Sequence, residues 1–589
     1  MVINSRVIPE AGKAVALVSL SLFLLTACQS APVVNGRFVS EKGVNIEATF
    51  PADTFMLVKL GTRDAEQLAN LKTLNAYFPD DPLGSLVKEF SQGFKEGTKN
   101  QNIGLDFEKD VLPILNEKTE IYFAGAPGEA GSVSKIKGIL AMTLADEGKF
   151  DDLLNKQTDQ GNFTKQTYNE YTYYLPKNQA EATAMIMRVK DTAFLFTDLD
   201  TMKSSLDNLT INNVVLNSNK IYQRAFQNYT PALAFAYGDF GKVMDFMKSS
   251  GPSGEETVKA LGQVTLNEAG LGMVESEVIT ARAEKDGLRF VATLLGKDNT
   301  DFTKVAGDMS KPYLVDKIPA KYPVIYTEAY NLKQVYDNFS EVAKKDAQMD
   351  KGLKDMKAFL TEQNLDFDKD IMSFLTKGYA FVLEDSDSVI PALGLYIDAS
   401  GNPGGAVKTA QQIDKSVEEI WQQTLKENPQ LNMVLSKEEV IKGQLWKFKL
   451  NLDTLLVGAP TEVVKKLTGQ KIEFYYGVLP ANVMVFAFKP DLETVYGKSP
   501  TVAEADEYKQ ALGYLKGVDQ GVTFLSPAQI FVYADRVLSI IQQSGGTAAD
   551  LTEYELIKKY LQPIKSFSTA AATVQKDQAR VEAFLHIAQ

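Results

Sequence analysis

Residues 105–111 read LDFEKDV, and residues 365–371 read LDFDKDI. The two phrases differ only by Glu108 for Asp368 and Val111 for Ile371. The likeness continues past the phrase, where Val111, Ile114 and Leu115 answer to Ile371, Phe374 and Leu375. Such a repeat, 260 residues on in a chain of 589, points to a duplicated domain. Two domains of about 250 residues also fit the usual size of a single hydrophobic core. Within the phrase, Asp106 and its copy Asp366 fit helix N-caps, with Lys109 and Lys369 three residues on. Phe107, Val111, Ile114 and Leu115 then fall on one face of a helix.

Outward from the phrase, other segments recur in the same order. IPAKYPVIYTEAYNLKQVYDNF (318–339) echoes FPADTFMLVKLGTRDAEQLANL (50–71), and DEYKQAL (506–512) echoes NKIYQRAF (219–226). QIFVYADRVLSII (529–541) resembles ALAFAYGDFGKVMDF (232–246), and the end of the chain, 571–588, resembles 277–294. Alternating stretches such as TFMLVKL (54–60) and TEIYFAG (119–125) read as strands. Lys285-Asp286-Gly287 marks a tight hairpin. Helical patterns fall at 84–98, 147–156 and 199–209. The fold class expected is α+β, with two tandem related domains, each an antiparallel β-sheet with helices packed against it. Their bounds are 50–312 and 313–589, preceded by a tether at 28–49. The stretch 442–476 reads as an extra strand and helix.

The first 27 residues carry a different message. Arg6 and Lys13 are basic, and Ala14 to Leu24 is apolar but shorter than the roughly 20 residues of a membrane span. Leu25, Thr26 and Ala27 then lead into Cys28, the only cysteine. This pattern looks like a bacterial lipoprotein signal: residues 1–27 are cleaved and the Cys28 thiolate takes the lipid. Two or three acyl chains, at about 0.8 kcal/mol per buried CH₂, hold a protein on a bilayer. Gln29, rather than Asp, follows the cysteine, which in a two-membrane bacterium resembles the pattern for the outer membrane.

Composition narrows the chemistry. The net charge is −13 and the pI near 5.0, which argues against a nucleic-acid surface. One cysteine and one histidine leave no disulfide and no usual transition-metal ligand set, so neither metal nor cofactor is expected. No GxxxxGK[ST] or GxGxxG occurs. His586 lies in an alternating run, VEAFLHIA, and reads as a strand side chain. Paired carboxylates are what remains: Asp106 with Asp110, and Asp366 with Asp370. As an acid/base pair or a calcium site they would lie on one helical turn. As caps and first-turn acids they serve the helix dipole. The second reading is preferred, because a catalytic pair rarely needs two copies. Tyrosine-rich NEYTYYLP (169–176) and IEFYYGVLP (472–480) fit half-buried strands or a carbohydrate or peptide groove.

The string LDFEKDVLPIL, with a Pro-Ala strand opener before it and DEGKFDDLL behind it, resembles a bacterial exported-protein family. That family is known as domain of unknown function 3352. The resemblance covers nearly all of residues 50–589, as two diverged copies. The family's usual Pro-Trp-Leu-Gly stands here as Leu-Pro-Ile-Leu (112–115) and Met-Ser-Phe-Leu (372–375). The resemblance implies export and a signal or lipid anchor, and carries no activity.

The function expected is that of a lipid-anchored, extracytoplasmic, non-catalytic envelope protein, engaged in binding or envelope maintenance. Its partners would be the membrane, through the N-terminal lipid, and an envelope protein, lipid or glycan. The alternatives are a carboxylate-dependent hydrolase of cell-wall polymer and a purely structural spacer.

Overall fold

The computed structural model of the chain describes residues 38–79, 91, 106–127, 137–177, 185–210, 215–227, 229–243, 274–302, 314–320, 324–329, 331–344, 347–384, 392–430, 435–451, 472–516, 521–543 and 552–589. The signal segment with Leu25, Thr26, Ala27 and Cys28 lies outside these residues, as does the expected boundary at 312. So does all but residue 91 of the helix expected at 84–98. The chain divides into two compact units, one reaching 264 and including 273–297, the other running over 298–588.

The first unit holds β1 (Met56–Leu60), β2 (Ile121–Ala126), β3 (Lys137–Thr143), β4 (Phe163–Tyr168), β5 (Tyr171–Pro176), β6 (Met185–Val189), β7 (Thr192–Phe196), β8 (Ala234–Asp239), β9 (Val274–Glu284) and β10 (Gly287–Gly296). All pairs are antiparallel, in the order β4-β5-β6-β7-β3-β2-β1-β8-β9-β10. Side chains alternate between faces. Leu57, Tyr122, Ile139, Phe194 and Phe235 therefore share one buried core. Helices α1 (Ala65–Asn75), α2 (Glu147–Asp159), α3 (Leu199–Thr210) and α4 (Lys220–Phe226) accompany the sheet. Asp64 and Asp146 cap α1 and α2, accepting from Gln67 and Lys149 N–H. Phe150 and Leu154 of α2 cover the opposite face, against Phe163 and Tyr174.

The second unit holds β11 (Val324–Glu328), β12 (Tyr379–Glu384), β13 (Ala392–Asp398), β14 (Leu435–Ile441), β15 (Leu445–Leu450), β16 (Ile472–Leu479), β17 (Val483–Phe488), β18 (Gly521–Leu525), β19 (Ile564–Gln575) and β20 (Gln578–Ile587). Their order is β14-β15-β16-β17-β13-β12-β11-β18-β19-β20, again antiparallel throughout. Strand for strand, this is the order of the first unit. Helices α5 (Leu332–Ala343), α6 (Ala347–Glu362), α7 (Pro403–Glu427), α8 (Asp506–Tyr514), α9 (Pro527–Gln543) and α10 (Thr552–Leu561) complete it. In α7, Asn402 accepts from Gly405 N–H and Pro403 opens the first turn, where its missing N–H costs nothing. Ala406 and Ala410 of α7 then pack on Trp446 and Tyr476.

Backbone contacts fix the equivalences. Pro51 bridges Val215, and Pro319 bridges Thr501. Leu216 N–H donates to Phe50 O at 2.9 Å, as Val502 does to Ile318 O at 2.9 Å. Leu144 N–H donates to Asp191 O at 2.8 Å, as Ala399 does to Asn482 O at 2.8 Å. Residues 46–50 thus answer to 314–318, Asp191 to Asn482, and α4 to α8, with Tyr222 matching Tyr508 and Phe226 matching Leu512.

Several expectations are corrected. The tether does not reach residue 49: Phe38, Val44 and Ile46 belong to the first core. Burying a phenylalanine contributes about 1.5–3 kcal/mol, enough to hold a short strap down. The pattern is aperiodic because Ser40–Gly43 is a turn, closed by Gly43 N–H to Ser40 O at 3.0 Å. The phrase at 106–111 is a single wide π turn, Phe107–Val111, followed by a 3-10 turn over Leu112–Ile114. The inward face is nevertheless the one expected: Phe107 and Ile114 are buried and Val111 and Leu115 half-buried, while Leu112 is exposed. Residues 529–541 lie wholly in helix α9, which Pro527 opens, so their likeness to 232–246 is out of step: the strand matching β8 is β18. Within the stretch 442–476, residues 445–450 and 472–476 belong to β15 and β16, which hold the places of β5 and β6 and so are not an extra strand, while the helix expected there falls on residues 452–471, outside the described residues.

Candidate functional site

The repeated carboxylates are engaged locally, and in the same way in both units. Asp106 accepts from Glu108 and Lys109 N–H at 3.1 and 3.2 Å, while Asp106 N–H donates to Asp110 Oδ2 at 2.9 Å. Asp366 accepts from Asp368 and Lys369 N–H at 3.0 and 2.9 Å, and its N–H donates to Asp370 Oδ2 at 2.8 Å. Each pair is a reciprocal cap, which satisfies donors left orphaned at a helix start. Lys156 of α2 lies 3.7 Å from Asp110, and Lys408 of α7 lies 2.5 Å from Asp370, so the cap also ties the turn to the next helix. Lys109 and Lys369 point outward, within 4.0 and 3.4 Å of Asp106 and Asp366. Phe107 is buried, and Phe367 packs edge-on against Tyr336 at 5.0 Å. Backbone donation from Lys369 N–H, ahead of its ammonium, holds the Asp366 carboxyl below the usual carboxylate range.

The other singled-out residues are likewise internal. Tyr173 donates to Gln166 at 2.7 Å, Tyr475 to Glu473 at 2.8 Å and Tyr476 to Asp414 at 2.8 Å. These hydroxyls spend their bonds within the fold. His586 sits in β20 with its ring 5.0 Å from Tyr514. Asp398 Oδ1 accepts from Ser400 N–H at 2.7 Å, and Asp385-Ser386-Asp387 lies outside the described residues. Among the described residues, no group of three or more His, Cys, Asp or Glu is placed to hold a metal ion, and no helix is long and apolar enough to cross a membrane.

The second unit contains a feature the sequence does not announce: a cavity of about 560 Å³ at one end of its sheet. Its floor is Val483 with Ala481 and Asp398, where β13, β16 and β17 end. One wall is the strap Leu314–Lys317 ahead of β11, and the other is Ala503 with Tyr508 and Leu512 of α8. The walls are mainly apolar. Charge is confined to Asp316, Lys317 and Asp398, with Lys317 Nζ 3.3 Å from Asp316. The volume falls within the range of about 300–1,000 Å³ typical of ligand pockets. Leu314, on the strap, holds a left-handed φ of 64°, which is unusual for a branched side chain.

The matching place in the first unit is built differently. There Tyr222 donates to Glu47 Oε1 at 2.5 Å, both groups buried. Burial, reinforced by Glu47, raises the Tyr222 phenol well above its ordinary value near 10. The counterpart of Glu47 is Val315, and Tyr508, 2% exposed, has a hydroxyl with no hydrogen-bond partner among the described residues. The single replacement of Glu by Val accounts for that orphan. Periodicity could not have revealed it, since Glu47 lies in a single 3-10 turn, Ile46–Thr49, and Val315 in a short turn, both too short to carry a period.

The face of the second sheet that α7 covers at one end also bears apolar side chains in cross-strand register. Val324, Leu383, Leu393, Phe488 and Phe474 stand opposite one another on successive strands. Phe488 and, one row away, Phe381 are 41% and 43% exposed. In the first sheet Phe123 and Ile279 are each 41% exposed.

No curated protein matches the chain. Solved structures of TP0453 resemble it weakly. Crystal form IV covers 43% of this chain and 82% of that one, at 11% identity and a TM-score of 0.25. Crystal form III covers 44% and 82%, at 10% identity and a TM-score of 0.24. One family model runs without a break through both units. The chain belongs to the family described as protein of unknown function, DUF3352, whose model matches residues 14–587.

Proposed function

We propose that this chain is a lipid-anchored, extracytoplasmic protein of the cell envelope that acts by binding and not by catalysis. Its two units are read as tandem copies of one α+β domain, supported by the identical strand order and the twice-built cap. The observation that carries the binding reading is the apolar-walled cavity at the end of the second sheet. Beside it, the recurrent Asp pairs are committed to backbone caps, which removes the motive for a carboxylate-dependent hydrolase. Attachment is assigned to a lipid on Cys28, in the outer membrane where the organism has two.

Two experiments test this. Cys28→Ser should release the protein from membranes; persistence in the membrane fraction after alkaline wash would refute the anchor. A photo-crosslinking residue at Ala503 should yield envelope adducts in intact cells. Yields no higher than those from the exposed position Lys509 would refute binding at the cavity.

A further inference from the structure

In the first unit, the sheet face turned away from the main core carries an acid without a partner. Leu57, Tyr237 and Val278 belong to that core, so Met56, Gly238 and Glu277 point to the other face by strand alternation. Register sets these three side by side on β1, β8 and β9, with Leu294 of β10 next in the row. Glu277 is half-buried, and its carboxylate has no hydrogen-bond or ion-pair partner among the described residues. Burial raises its carboxyl above the ordinary glutamate value. Beside it Gly238 leaves a notch, since a Cβ built there would meet none of the described residues within 4 Å. Met56 and Leu294 are half-buried, and Ile279, two residues on from Glu277 on the same face, is 41% exposed.

The second unit shows that the sheet does not require this arrangement. Pro51 and Pro319 form equivalent bridges, so Met56 answers to Val324. Register then matches Gly238 with Leu525, Glu277 with Phe567 and Leu294 with Leu585. Where the second sheet sets four apolar side chains in a row, the first sets a carboxylate beside a gap. A charge half withdrawn from water without a partner is disfavoured, and an apolar residue fits the same place in the other unit.

We infer that the Gly238 notch beside Glu277 is a docking site for a lysine or arginine side chain carried on an apolar segment of a partner protein. Such a side chain lays its aliphatic stem along apolar surface and keeps its charged head available for pairing. Here the stem lies over Gly238 against Met56 and Ile279, and the head meets Glu277, where partial burial strengthens the attraction. The same carboxylate repels the phosphate of a lipid headgroup, and a neutral glycan would leave it unpaired. The chain's net charge of −13 favours the approach of a basic partner. The inference does not rest on the cavity of the second unit.

The probe is a fluorescent synthetic peptide, GLLKLLG, titrated by anisotropy into the full chain. Saturable binding at one site per chain is expected, weakening as salt screens the charges. A peptide with glutamate in place of the lysine should bind about tenfold more weakly or worse. Glu277→Gln should cost a similar factor and bind both peptides alike. Gly238→Leu, which gives the first sheet the side chain that the second carries at Leu525, should fill the notch and weaken binding about tenfold. Without peptide, both variants should unfold at a temperature no lower than the parent chain, because an unpartnered carboxylate and an open notch add nothing to its stability. A fall of several degrees in either variant would show that another part of this chain fills the notch, and would overturn the inference. So would absence of saturable binding, affinity indifferent to the central charge or to Gly238→Leu, or a dimer of the parent chain that Glu277→Gln dissociates. Adducts at Ala503 report on the cavity of the second unit alone, so the two readings stand or fall separately.

Discussion

Two tyrosines at equivalent places offer a direct experiment on the difference between the units. Tyr222 and Tyr508 are both 2% exposed, yet only Tyr222 reaches a carboxylate, that of Glu47, which is 1% exposed. A hydrogen bond to a charged group contributes about 1.5–3 kcal/mol. Tyr222→Phe should therefore destabilise the first unit by about 2–3 kcal/mol. Tyr508→Phe removes a hydroxyl whose desolvation, a cost of about 1–3 kcal/mol, is not repaid by a bond. It should leave the second unit unchanged or raise its stability by about 1 kcal/mol. Urea unfolding separates the two effects. Both tryptophans, Trp421 and Trp446, lie in the second unit, so their fluorescence follows that unit alone, whereas circular dichroism reports on both. With a slope of about 2 kcal/mol per M, Tyr222→Phe should shift the first unit's midpoint down by about 1 M. Val315→Glu then supplies the missing acceptor, and in that background Tyr508→Phe should become costly. Loss of stability in the plain Tyr508→Phe variant as large as that in Tyr222→Phe would refute the orphaned hydroxyl.

Three further outcomes are expected. Lys59→Met should destabilise the first unit by about 3 kcal/mol in the same urea assay, since it strips a buried ammonium from a buried carboxylate; Lys59 Nζ lies 3.0 Å from Glu120, at 3% residue exposure. Asp106→Ala should cost about 1 kcal/mol through the lost cap, while Lys109→Ala, whose side chain is 81% exposed, should change nothing measurable by thermal unfolding. The fold should lose stability on the alkaline side. Burial, and then Glu120, raises Tyr122, as burial and Glu47 raise Tyr222. Raised phenols favour the neutral form in the native state, so their contribution is complete below the unfolded value of about 10 and declines as pH climbs above it. Ultraviolet absorbance should show phenolate from these residues only together with unfolding; their titration in a still-folded chain would contradict the burial.

Much of the architecture was legible in the residues themselves. Cap residues announce themselves locally, so Asp106 and Asp366 could be read as N-caps from spacing alone, and hairpins such as Lys285-Asp286-Gly287 depend on two or three residues. The repeat was legible because the same phrase stands in front of a similar strand pattern in each half of the sequence. The pairing of QIFVYADRVLSII with 232–246 is out of step because an apolar run fits strand and helix alike, and Pro527 opens helix α9 after β18 has already ended. The strap at 38–46 was invisible because irregular backbone has no period, and its burial is decided by contacts with α4 and β2.

What the sequence by itself determined is therefore of short range: the repeated caps, the strand and helix pattern and the family. What only the tertiary structure decided is the cavity. It joins Leu314–Lys317, Asp398, Ala481–Val483 and Ala503–Leu512, segments spread over nearly 200 residues. Their meeting depends on strand register, which is set by the packing of two whole sheet faces and by no single segment. The same register makes Val315 the counterpart of Glu47, and so turns a valine into the reason the Tyr508 hydroxyl has no partner among the described residues.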